Sequence, residues 1–71
     1  MSVVKVVELL AESPKSWEDA TQEALRHASK TLRGIKSIYV KDMQAVVANN
    51  QITAYRVNVK VSFEIEEPGS R

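Results

Sequence analysis

The chain has 71 residues, no cysteine, one histidine and a net charge of +1 at neutral pH. That length holds one small domain, which buries only about 60% of the surface its unfolded chain exposes and is marginal as a lone copy. Without cysteine there is no disulfide, a single histidine makes no zinc cage, and interspersed charges give no nucleic-acid footprint, so association between copies is the expected support.

Residues 3–11 are rich in valine and leucine, with Lys5 and Glu8 the only charges. Both parities are apolar, Val3, Val7 and Leu9 on one and Val4, Val6 and Leu10 on the other, which predicts a strand buried on both faces. A domain this small does not supply two covers, so a neighbouring subunit is expected on one of them. The first ten residues carry acid too early for a secretory signal, and no apolar run reaches the ~20 residues of a membrane helix. A cytoplasmic location without membrane contact is the expectation. Glu12-Ser13-Pro14-Lys15 breaks the strand, because Pro14 donates nothing to a ladder.

Ser16 opens a helix as its N-cap, with Asp19 as the acid of a capping box. Trp17, Ala20, Thr21, Ala24, Leu25, Ala28, Thr31 and Leu32 then share one stripe at helical spacing. Acids fill the first half and bases the second, in the order the helix dipole favours. Gly34, free to adopt a left-handed conformation, is expected to stop the helix. His27 falls at the stripe's edge, where a boundary histidine without ligand or catalytic role is the simpler reading. Trp17 suits a staple closing the core under the first turn better than a platform for an aromatic ligand.

Residues 35–48 read as a long second strand whose alternation slips. Ile38 and Val40 have one parity, Met43, Ala45 and Val47 the other, and a β-bulge within residues 41–44 would reconcile them. Asn49-Asn50 makes a tight turn, since asparagine tolerates positive φ. Residues 52–66 alternate strictly, with Tyr55, Val57, Val59, Val61, Phe63 and Ile65 on one face and Ala54, Arg56, Asn58, Lys60, Ser62 and Glu64 on the other. Residues 67–71 read as an unstructured tail behind a single domain of residues 1–66. The class is α+β: a β-α-β-β order in which a three-stranded antiparallel sheet wraps one helix and leaves a face and an edge to be covered.

No catalytic constellation is present. The sequence has no cysteine nucleophile, glycine-rich phosphate loop or HExxH, and its carboxylates are scattered among lysines and arginines. A non-enzymatic role and no metal site are expected.

The run from Thr31 to Asp42, T-L-R-x-I-x-x-I-Y-V-K-D, resembles a family pattern. It is followed by A-Y-R-V-x-V-K-V-S-F-E-I and preceded by V-x-E-L-x-x-x-S-P. Together, over about residues 3–66, these resemble the dodecins. The resemblance implies twelve copies in a hollow shell of cubic 23 symmetry, a homododecamer that stores or sequesters flavin held in pairs between subunits. Some members also bind FMN or coenzyme A. At the ligand positions this chain departs from the pattern. Ser37 stands where flavin-binding members have a stacking tryptophan, and Arg56 where they have a glutamine that bonds the flavin edge. Gln44 and Glu64 stand where relatives often carry arginines. The candidate ligand-lining set implied is Ser37, Arg56, Lys36, Tyr39 and Gln44, for riboflavin or FMN. The alternative is a shell that has lost flavin and binds another small anion, an ion or nothing, Arg56 and Lys36 being the groups for an anion.

Overall fold

The computed structural model describes residues 3–65. The element order is β1 (Val3–Ser13), α1 (Trp17–Thr31), β2 (Ile35–Ala48) and β3 (Gln51–Ile65). This is the expected β-α-β-β arrangement, with one antiparallel sheet in the order β1-β3-β2. β3, the most regularly alternating stretch, is therefore the central strand. Glu66, expected at its end, and the tail of residues 67–71 lie outside the described residues.

Strict alternation on β3 sends Val57, Val59 and Val61 to one side, where all three are fully buried. Burying each contributes about 1.5–3 kcal/mol relative to exposure. Ala20, Ala24 and Ala28 of α1 meet them, and their small side chains let the helix approach the sheet closely. Val7 and Leu9 from β1, and Ile38 and Val40 from β2, pack around this seam. Thr31, expected in the buried stripe, is exposed because α1 ends there.

β1 runs two residues beyond the expected end at Ala11. Ser13 still pairs with Tyr55, and its buried hydroxyl accepts from Lys15 N at 2.9 Å and donates to Asp19 Oδ2 at 2.6 Å. Ser16 is the N-cap as expected, its Oγ accepting from Asp19 N at 3.0 Å. The Asp19 carboxylate, expected to complete a capping box, instead takes the Ser13 hydroxyl and joins strand to helix.

The end of α1 corrects the role given to Gly34. Leu32 ends the helix by turning extended (φ −102°, ψ 142°), while its N–H still donates to Ala28 O. Gly34 lies two residues further on at φ +68° and turns the chain into β2. Its carbonyl accepts from Glu64 N at 3.0 Å. A Cβ there would stand 3.3 Å from the Glu64 carbonyl oxygen.

The expected bulge is present, with the register shifting between Val40 and Asp42. Two further shifts, between Ile35 and Ser37 and between Val46 and Val47, went unforeseen. The Val40/Asp42 shift puts Met43 opposite Val57, on the helix side. Even so, Met43 is 62% exposed, because α1 lies mainly over β1 and β3 and leaves the outer strand β2 largely uncovered. Fifteen helical residues span about 22 Å at 1.5 Å each, whereas the chain is 56 Å long. The hairpin therefore projects beyond its helix, and its turn at Asn49 and Asn50 has positive φ at both positions, as expected.

Candidate functional site

Four of the residues that the resemblance implicates, Ser37, Tyr39, Gln44 and Arg56, are on the sheet face turned away from α1. The antiparallel register sets them in rows. Ser37 faces Ser62, Tyr39 faces Lys60, Asp42 faces Asn58 and Gln44 faces Arg56. From the other edge, Val6 faces Ser62, Glu8 faces Lys60, Leu10 faces Asn58 and Glu12 faces Arg56. Alternation makes one side of each strand apolar for the helix, and these side chains are the remainder.

The sequence-predicted residues fall into two groups at opposite ends of this face. Ser37 and Tyr39, with Lys36 in the adjoining bulge, lie towards the start of β2, and Gln44 and Arg56 lie towards the hairpin. Along β3 the rows of Ser37 and Arg56 are six residues apart, about 20 Å at ~3.3 Å per residue. One chain therefore does not bring them around a single ring; a shared site needs a second copy.

Each group is also engaged within the chain. Ser37 Oγ is 2.6 Å from Ser62 Oγ. Arg56 Nε and Nη2 both donate to Glu12 Oε1 at 3.3 Å, across the β1–β3 ladder. Lys36 Nζ stands 3.4 Å from Glu64 Oε1, and Lys41 Nζ stands 3.4 Å from Glu8 Oε2. These are surface pairs, each worth about 0–1 kcal/mol, enough to set an orientation and little more. Lys36 and Ser37 also line a groove of about 480 Å³ with Leu25, Ser29, Ile35 and Ile38.

Gln44 takes part through its backbone. Its carbonyl accepts from Trp17 Nε1 at 2.9 Å, and the Trp17 ring meets Tyr55 edge-on with centroids 4.9 Å apart. Trp17 is thus the staple the sequence suggested, tying the first turn of α1 to both strands of the hairpin. His27 is exposed, its Nε2 4.0 Å from Glu23, whose carboxylate also pairs with Arg26.

Tyr39, one of the predicted residues, stands beside two residues that the sequence reading did not single out, Lys60 and Asn58. Tyr39 is 63% exposed, directly across from Lys60. Lys60 makes no ion pair among the described residues. Asn58 Oδ1, one row along, is buried without a hydrogen-bond partner among the described residues. Period-two reading placed Asn58 and Lys60 on the polar parity, but the Lys41 bulge decides which β2 residues stand beside them. Val4, Val6 and Leu10 complete the face as exposed apolar groups. Among the described residues no three His, Cys, Asp or Glu side chains gather as a metal-holding group, and no helix is long and apolar enough to cross a membrane.

Comparison with known proteins gives consistent matches. The family model described as Dodecin matches residues 3–66. The chain is 37% identical over 65 residues to the dodecin of Thermus thermophilus, covering 92% of this chain and 94% of that one. It is 34% identical over 65 residues to the calcium dodecin of Mycobacterium tuberculosis, covering 92% of each. Among solved structures, the dodecin of Streptomyces coelicolor superposes with a TM-score of 0.89 at 27% identity, over 93% of this chain and 94% of that one.

Proposed function

The chain belongs to the dodecin family, and we propose that it is a non-enzymatic protein that binds and sequesters a small ligand within a hollow homododecamer in the cytoplasm. A flavin, riboflavin or FMN, is the ligand of this reading. The observation that carries it is the helix-free sheet face. Val4, Val6, Leu10 and Tyr39 are all more than half exposed there, beside hydrogen-bonding groups. Exposed apolar groups set among polar ones suit a subunit interface. A second copy laid on it covers the apolar groups and encloses the polar ones, which is where a planar ligand finds both stacking and hydrogen bonds.

A second reading, a shell without flavin, is favoured by one specific observation. Ser37, Arg56 and Lys36 each already have a partner within the chain. A ligand that needed them would have to displace Ser62, Glu12 or Glu64. Calcium, named for one relative, draws no support from the carboxylates described here, which are dispersed and mostly paired with bases.

Titration of the purified protein into riboflavin and into FMN, followed by flavin fluorescence, tests both readings when native mass is recorded on the same sample. A twelve-subunit mass with saturable quenching is the expected result. The same mass without quenching of either flavin selects the second reading. A monomeric mass refutes both.

A further inference from the structure

We propose that the ligand site has moved one pleat along each strand from the positions matching the family pattern. Tyr39 is the ring-stacking surface, and Asn58 with Lys60 reads the ring's polar edge. This rests on the small-ligand reading above and deepens it by naming the residues that hold the ring.

Ser37 presents a hydroxyl already bonded to Ser62 and has no surface on which a ring could lie. Tyr39, two residues on, points from the same face and is 63% exposed. An exposed aromatic ring on an open sheet face is a stacking platform. Directly opposite stands Lys60, half-buried and without an ion pair among the described residues, its Cβ about 5 Å from that of Tyr39 by the geometry of facing antiparallel residues.

The change at Arg56 has a parallel answer. A guanidinium only donates hydrogen bonds, so it does not serve a ring N–H. Asn58, two residues along β3, carries a side-chain oxygen that no group among the described residues satisfies. A buried acceptor without a partner is costly. The broad, two-fold torsion of its terminal amide lets that oxygen swing outward to a donor. Asn58 and Lys60 are successive residues of one face, about 7 Å apart along the strand. Between them they offer one acceptor and one cationic donor.

The ligand class that matches is a planar heteroaromatic whose edge carries an N–H next to a carbonyl or ionised oxygen. The N–H serves Asn58 Oδ1, the oxygen serves Lys60 Nζ, and the ring lies on Tyr39. The imide edge of a flavin belongs to this class, as do the lactam edges of pteridines and oxopurines. The sheet covers one side of the ring only, and the neighbouring subunit closes the other.

Riboflavin is the probe, added to the full chain and to three variants, with native mass recorded for each. Tyr39→Leu keeps apolar bulk without a ring and is expected to weaken binding about 10- to 100-fold, the usual scale of lost stacking. Tyr39→Phe restores binding to within about threefold of the native chain, since the ring and not the hydroxyl does the stacking. Asn58→Val, which removes the acceptor at similar volume, is expected to weaken binding by roughly tenfold. If the native chain binds riboflavin and Tyr39→Leu binds it equally well, the displaced site is refuted while the family reading stands. If the native chain fails to bind riboflavin as an intact twelve-subunit particle, the flavin reading and this inference fall together.

Discussion

Leu10 separates a subunit that stands alone from one that is covered. In a single copy it is 65% exposed, on the face away from α1. Leu10→Ala removes three carbons, about 2.4 kcal/mol if all were buried at ~0.8 kcal/mol each, and only about 0.8 kcal/mol with roughly a third of the side chain buried. When another subunit seals that face, the full transfer loss returns with a cavity added, for a cost of about 2–5 kcal/mol. Val59→Ala serves as internal standard, because Val59 is fully buried within one chain between Leu9 and Val40. It loses about 1.6 kcal/mol of transfer energy plus a cavity contribution whether or not copies associate. The assay is urea unfolding followed by far-ultraviolet circular dichroism at two protein concentrations a hundredfold apart, with native mass spectra of both variants. The expected outcome is that Leu10→Ala costs at least as much as Val59→Ala, and that its midpoint rises with protein concentration. A cost below about 1 kcal/mol for Leu10→Ala, with a midpoint independent of concentration, would refute the argument that this face is a subunit interface.

Further outcomes follow from the elements around the core. Ser16→Ala removes the N-cap acceptor of Asp19 N and should cost about 1 kcal/mol, read as a lower urea midpoint at unchanged slope. Gly34→Ala forces a side chain to φ +68° against the Glu64 carbonyl and should cost about 1–3 kcal/mol, while Gly34→Asn, which tolerates that conformation better, should cost less. Trp17→Phe keeps the edge contact with Tyr55 and loses the bond to the Gln44 carbonyl, for about 1 kcal/mol by thermal melting.

The fold was legible because its strongest signals are local and periodic. Alternation over β3 identified the central strand, and the alanine stripe with Ser16 before it identified α1. The bulge in β2 could be read because the apolar parity changes midway. What failed depended on distance. Nothing in the order of residues says that the Asp19 carboxylate meets Ser13, or that Leu32 ends the helix before Gly34 is reached. The candidate ligand residues were harder still. Ser37 and Arg56 were grouped by resemblance, yet the register sets them at opposite ends of the sheet. Asn58 and Lys60 carry no motif, and only the cross-strand rows disclose what stands beside them.

The strand order also bears on how the chain is made. β1 is synthesised first but pairs only with β3, so Val3 waits for Ile65, and every residue of β1 waits for a partner from the last third of the chain. β2 and β3 are joined by a two-residue turn and close on each other as soon as both exist, whereas β1 must first close a loop of about forty residues between Ser13 and Tyr55, a slower search that costs more entropy. Until then β3 keeps one open edge, and the β1 of any nearby chain matches it as well as its own. Neighbouring nascent copies are thus competitors for one another's first strand, and dilution during refolding favours the correct pairing.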